Sequence, residues 1–297
     1  MMGVMQGFSY SPFDPAVMAD PRPYYRTLRD HHPVYYVDEL DTYALSRFDD
    51  VWNVLAINDG TFVASEGTLP AAAVLAHRNH GPVADPPLHP LPFHANFDAP
   101  LYDDVRRCTA AQFRPKSVTA WQDRIRELAN ERLDELLPRG SFDLTQEYGG
   151  IVAASVVCEL VGLPTELAAD VLATVNAGSL AEPGSGVEVA NARPGYLEYL
   201  IPVVQQVRAG EFPPGPLPIV ENLLAYRLPD GSALTDSEVA VQMLGVFIGG
   251  TETVPRSSRT ACGNCCATPP ISSRRCGQIR RPTCRWPARE IIRYCAP

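Results

Sequence analysis

TDSEVAVQMLGVFIGGTET, residues 235–253, is the stretch on which the fold turns. Thr235 and Glu238 stand three residues apart ahead of an apolar run, the spacing of a capping box. The Thr hydroxyl takes the third amide proton while the carboxylate reaches back to the first. The helix they open, from Asp236 onward, is apolar nearly all round. At this length such a helix is expected to run buried through a domain rather than to span a membrane. Its far end carries Gly249 and Gly250 side by side, each costing about 1 kcal/mol relative to Ala in a helix interior. Without side chains the backbone there can approach a flat ligand closely. The alternative is a tight helix crossing. Glu252 and Thr253 follow, a carboxylate and a hydroxyl in dry surroundings where each needs a partner or a purpose. A Thr hydroxyl can bond the carbonyl one turn back and bend the helix.

The chain around this helix is mainly helical with a small β part. Pro21–Asp30 reads as a short helix, with Tyr25 and Leu28 on one face. Val34–Val37 and Thr42–Ser46 are rich in β-formers and read as a hairpin joined through Asp38–Asp41. Asp49–Ile57 returns to helix. Residues 59–97 are rich in Pro, Gly and His and are expected to form a long irregular loop, a kind that is usually functional or mobile. Trp121, Ile125, Leu128, Ala129, Leu133 and Leu136 mark an amphipathic helix stopped by Pro138 and Gly140. Helices over Leu144–Val161, Glu166–Val175 and Tyr196–Val207 follow, the first two hinged at Gly162–Pro164. Leu228–Ala233 is a turn-rich crossing.

Length and charge narrow the function classes. The 297 residues carry a net charge of −9, which argues against a general nucleic-acid binder. No apolar run is long enough for a membrane span, and the first fifteen residues lack the basic-then-apolar pattern of a signal peptide. A soluble cytoplasmic protein is expected. The averages hide a break, however. Up to Pro255 there are 16 Lys and Arg against 33 Asp and Glu; from Arg256 to Arg289 there are 8 Arg and no acid. Six of the eight cysteines lie beyond residue 261.

Gly249-Gly250-Thr251-Glu252-Thr253 on a long buried helix resembles the oxygen-activation motif of the cytochrome P450 family, the haem-thiolate monooxygenases. The glycines match the family's small pair, Glu252 its acid and Thr253 its alcohol, while Val254 departs from the usual second hydroxyl. The resemblance implies that the acid and alcohol deliver protons during oxygen activation. Asp98-Ala-Pro-Leu-Tyr-Asp-Asp-Val-Arg106-Arg107, followed by Phe113, is similar to the family's Asp-Pro-Pro-Glu-His-Thr-x-Leu-Arg-Arg…Phe segment, whose His and first Arg bind haem propionates. Arg106 matches that Arg, and Tyr102 stands in place of the His. The opening segment, FDPAVMADPRPYYRTLRDHHPVYYV, resembles the family's first helix and hairpin. The similarity spans roughly residues 12–255. It implies a P450 fold, incomplete at the C-terminus, and the insertion of one oxygen atom from O2 into an apolar substrate. It also implies haem and a ferredoxin-type redox partner, with neither nucleic acid nor a membrane involved.

The tail divides the chain further, into 1–255, an anomalous segment 256–289, and 290–297. Glu290-Ile-Ile-Arg293 resembles the family's Glu-x-x-Arg helix motif and would brace the core; its residues stand one turn apart, where they can pair. Residues 256–289 show no helical period. Cys262, Cys265, Cys276 and Cys284 are poorly spaced for a zinc site, and no metal is assigned there. Shifting the reading frame explains the segment better. Composite codons from the third base of one codon and the first two of the next must give Leu at Asn264–Cys265, Leu at Cys265–Cys266 and Ala at Trp286–Pro287. The flanking junctions permit Val-Val-Ala-His-Gly-Leu-Trp-Glu-Leu-Leu-Arg-His-Pro, an amphipathic helix similar to the family's next one. The segment is therefore expected to be translated out of frame. The family's haem ligand is a Cys in a later Phe-x-x-Gly-x-x-x-Cys-x-Gly loop, and Cys295 has no such loop around it. The chain is accordingly expected to lack thiolate ligation and to be inactive alone. The alternative is a non-catalytic truncated or pseudogene product that at most binds an apolar ligand.

Overall fold

The computed structural model describes residues 7–67, 88–178, 193–213 and 215–267. The chain forms two compact units, Met1–Asp103 with Ser179–Asn191, and Asp104–Gly178 with Ala192–Pro297.

In the first unit, α1 (Pro15–Ala19) begins at Asp14, whose Oδ1 accepts from the amides of Ala16 at 2.7 Å and Val17 at 3.3 Å. It is followed by α2 (Arg22–His31), then β1 (Val34–Val37) and β2 (Thr42–Leu45) in antiparallel register. Asp41 turns the hairpin at φ 42°, and the Tyr36 hydroxyl donates to its Oδ1 at 2.8 Å. Tyr10, Val17, Leu28 and Val37 form the core beneath, joined by Phe8, Tyr24, Tyr35, Leu40 and Ala44. The helix α3 (Phe48–Ala56) follows. The expected helix, hairpin and helix are therefore present within a residue or two. The described parts of the 59–97 loop are irregular apart from a 3-10 turn at His94–Asn96. Asp98 ties that loop down by accepting from the amides of Ala64 at 2.7 Å and Ser65 at 3.3 Å.

Helix α4 (Leu101–Ala110) carries the chain into the second unit, which is helical: α5 (Pro115–Leu136), α6 (Ile151–Val161), α7 (Ala168–Gly178), α8 (Arg193–Arg208), α9 (Pro218–Ala225) and α10 (Asp236–Ala267). The predicted stripe on α5 buries its C-terminal half, Leu128, Leu133 and Leu136, whereas Ile125 remains 37% exposed. Gly140 ends the segment at φ 77°. The sequence predicts one α-helix over Leu144–Val161; instead, Leu144–Gly150 is a π-helical turn and the α-helix starts at Ile151. Close packing accounts for the glycine there, since a Cβ at Gly150 would stand 2.7 Å from Leu172 Cδ2. Gly162 supplies the expected hinge at φ 84°.

The centre of this unit is α10, which packs against the π-turn and α6, α7, α8 and α9. Its start is the predicted capping box. Glu238 Oε2 accepts from the Thr235 amide and hydroxyl, both at 2.8 Å, and the Glu238 amide donates to Thr235 Oγ1 at 3.2 Å. Glu238 is buried, so its carboxylate depends on those bonds. Glu238→Ala is expected to cost about 2 kcal/mol, read as a lower urea midpoint with an unchanged slope.

Two features of α10 depart from the sequence expectation. First, the helix is not buried all round. Val239, Ala240, Met243, Leu244 and Phe247 are buried, but Gly245, Gly249 and Thr253 form an exposed row at i, i+4 and i+8. Second, the backbone helix continues through Pro255 to Ala267, across the compositional break. Pro255 has no amide proton, so the Thr251 carbonyl loses its helical donor there. The remaining residues of the Arg-rich segment, together with Glu290 and Arg293, lie outside the described residues.

Candidate active site

The end of α10 carries Gly249, Gly250, Glu252 and Thr253, four of the eight site residues expected from the sequence. Thr253 Oγ1 donates to the Gly249 carbonyl at 2.7 Å, and Thr251 Oγ1 to the Phe247 carbonyl at 2.8 Å. Both threonines thus bond one turn back, as the sequence allows, immediately before Pro255. Such bonds loosen the helical ladder and favour a bend.

The two glycines have different roles. A Cβ at Gly250 would stand 2.5 Å from Val157 Cγ2 on α6, so hydrogen is the only side chain that fits the crossing. A Cβ at Gly249 would meet nothing within 4 Å. Gly249 and Thr253 therefore belong to the open row, and Gly250 to the helix contact. The tight-crossing reading holds for Gly250, while Gly249 leaves open space beside the backbone.

Glu252 is half-buried and stands three residues beyond Gly249, along the edge of that row. Its neighbourhood includes Tyr196 of α8. Burial, and after it the charge of Glu252, raises the Tyr196 hydroxyl above the ordinary tyrosine value. The Tyr196 ring packs 5.8 Å from that of Phe247, and Tyr199 lies 6.1 Å from Phe247 on the same helix. Tyr196 and Phe247 are buried, and Tyr199 is half-buried. Sequence reasoning missed Tyr196 and Gly245. For Gly245 a signal existed, its four-residue spacing from Gly249; for Tyr196, on another helix, there was none.

Tyr102 and Arg106 stand one turn apart on α4. Tyr102 is 36% exposed, with its ring 6.3 Å from that of buried His94. Arg106 is exposed and makes no ion pair among the described residues, whereas Arg107 pairs with Asp104. The backbone before them is anchored by Asp98. Burial works against the ionised form of Asp98, but the Ala64 and Ser65 hydrogen bonds outweigh it and hold the carboxyl below its ordinary value. A groove of about 570 Å³ elsewhere in the second unit is bordered by Glu159, Tyr199, Gln206, Phe212 and Leu217, with no residue of α10 on its wall.

These features can be set beside known proteins. The chain is 32% identical over 152 residues to cytochrome P450 130 of Mycobacterium tuberculosis, covering 50% of this chain and 35% of that one. It is 28% identical over 253 residues to a putative cytochrome P450 123 of Mycobacterium bovis, covering 82% and 58%. A solved mutant of P450 EryK in complex with erythromycin B superposes with a TM-score of 0.63 at 21% identity, over 81% of this chain and 57% of that one. The chain is similar in sequence to curated cytochromes P450 and has the P450 fold. No family model matches it. The CalO2 crystal structure is a further fold neighbour of this chain, with a TM-score of 0.61 at 19% identity, over 84% and 60% of the two chains. The chain spans 35% and 58% of the two curated relatives. No helix among its described residues is long and apolar enough to cross a membrane.

Proposed function

We propose that the chain carries one wall of a haem monooxygenase site that inserts an oxygen atom from O2 into an apolar substrate. A ferredoxin-type partner would supply electrons, in the cytoplasm. The observation that carries this reading is the open row of α10: beside Gly249 a flat group meets only backbone, with Thr253 on the same face and Glu252 adjacent. Haem, when bound, supplies the redox chemistry at oxygen. Gly249 lets the backbone approach it, and Gly250 fixes the helix that presents that backbone. Glu252 and Thr253 hold and pass protons. Arg106, with Tyr102 one turn before it, would bind propionates. The substrate would meet the region near Phe247.

The open face of α10 would fit one side of a haem, and neither Cys108 nor Cys158 suits it as a thiolate ligand. Burial, followed by the charges of Glu159 and Glu166, pushes the Cys158 thiol up to about 12, and the side chain is fully buried. Burial also raises Cys108, against the opposing charge of Arg107. Neither thiol is poised as a ligand, because a ligand must be ionised. The proposal therefore has a second half: this polypeptide alone is inactive, and residues 256–289 are read out of frame. The alternative, a non-catalytic product that at most binds an apolar ligand, is favoured by the same buried Cys158.

One experiment addresses both halves. Purified chain mixed with haem, reduced and exposed to carbon monoxide, is expected to show haem uptake without a thiolate-type Soret band. Appearance of that band would place the ligand within these residues and overturn the second half. Arg106→Ala should weaken haem uptake about tenfold, the worth of one charge-assisted hydrogen bond. Equal uptake by the variant counts against the propionate role and favours the non-catalytic alternative. The nucleotide sequence tests the frame directly, since the adjacent frame must encode the amphipathic helix described above.

A further inference from the structure

The groove of about 570 Å³ in the second unit takes no part in the α10 site. Its volume falls within the roughly 300–1,000 Å³ usual for small-molecule sites. One stretch of its wall is α8, whose Tyr199, Pro202, Val203 and Gln206 fall at i, i+3, i+4 and i+7 and share a face. The end of α6 and the hinge after it form a second stretch, and the segment leading into α9 a third. Gly162 is where the three meet. A Cβ there would stand 2.6 Å from Leu217 Cδ1 and 3.0 Å from Val203 Cγ1. Both of those side chains are buried, so the floor is packed and the groove is already formed.

Two features select what the groove would hold. The first is an acceptor. Pro202 stands inside α8 and brings no amide proton, so the Glu198 carbonyl loses its helical donor beside the Pro202 ring on the wall. The second is charge of one sign. Glu159 lines the groove, and no Lys, Arg or His does. Arg124 donates to Glu159 Oε1 at 2.9 and 2.6 Å but to Oε2 only once, at 3.2 Å, so Oε2 keeps room for another donor. Glu198 and Glu211, next to Tyr199 and Phe212, are exposed and make no ion pair among the described residues. Arg208, further along α8, is already engaged by Asp236. We propose that this groove binds a small amphipathic amine, an aryl or alkyl body carrying one ammonium. The body lies against Leu163, Val203, Phe212 and Leu217. The ammonium donates to the Glu198 carbonyl, within the field of the three carboxylates. An anion with the same body meets that field with the wrong sign. The inference does not rest on the haem reading.

The test titrates the full chain, without haem, with phenylbutylamine, phenylbutanol and phenylbutyrate, which share a body and differ in charge. The expected result by calorimetry is saturable binding of the amine with a Kd of about 0.5 mM, the range for a ligand of this size. The alcohol should bind about fivefold more weakly, and the carboxylate more weakly still. Hydrogen exchange should slow at residues 159–163, 199–206 and 211–217 when the amine is added. P202A returns an N–H to the Glu198 carbonyl and suits the helix, so the chain stays folded; it should weaken the amine about tenfold. F212A removes part of the apolar wall and should weaken amine and alcohol alike. The proposal is overturned by any of four results: no saturable amine binding below about 10 mM, carboxylate binding as tight as amine binding, variants that bind the amine as well as the parent chain, or protection at residues 245–253 in place of the groove. None of these readouts involves haem, so failure here leaves the monooxygenase proposal to its own spectrum.

Discussion

Phe247→Ala is expected to lower the unfolding free energy of the second unit by about 4 kcal/mol, enough to abolish a cooperative transition in a marginal domain. Phe247 is fully buried on the central helix, and both Tyr196 and Tyr199 pack against its ring. Its carbonyl also accepts the Thr251 hydroxyl, so the cavity would open beside the turn that positions Glu252 and Thr253. Chemical denaturation followed by far-UV circular dichroism would read the loss. Phe247→Leu is the control: it keeps most of the volume and should recover more than half of the difference. Equal losses for both would mean that the ring contacts, rather than the filled volume, carry the stability.

The second large effect concerns the glycine pair. Gly250→Ala should destabilise the chain by about 2 kcal/mol, because its methyl would sit 2.5 Å from a methyl of Val157. Val157 is β-branched and buried, so it has little freedom to yield. Gly249→Ala should act oppositely and stabilise by about 0.5–1 kcal/mol, since the new methyl meets only open space and alanine is the better helix former. Thermal or urea midpoints of the two single variants suffice. Midpoints moving in the same direction would contradict the division of roles. The stabilising variant should bind haem more weakly, because its methyl occupies the surface the haem would face.

The sequence made α10 legible for physical reasons. A capping box fixes its start, and an apolar run of that length has few other destinations. The hairpin was equally readable, since its β-rich runs flank a turn of acidic residues. The π-turn at Leu144–Gly150 was not readable, because apolar spacing does not separate one helical hydrogen-bond pattern from another. Nor was Asp98 as the anchor of Ala64 and Ser65, a contact between residues 33 and 34 positions apart. In the candidate site the residue types were visible in the motif, but their directions were not. Which glycine faces the helix crossing depends on where Val157 stands, and the acid's neighbour Tyr196 comes from α8. Where the chain's composition breaks, at residue 256, the helix does not: the backbone runs on to Ala267.

The row of Gly245, Gly249 and Thr253 gives this helix a particular kind of generality. A wall made of two hydrogens and one small alcohol offers almost no relief by which one guest could be told from another. Relatives with the same wall could therefore take quite different molecules without altering it. In the proposed reading, discrimination would be written in other elements, and changes there would retune what is accepted while leaving the helix, its cap and its crossing untouched.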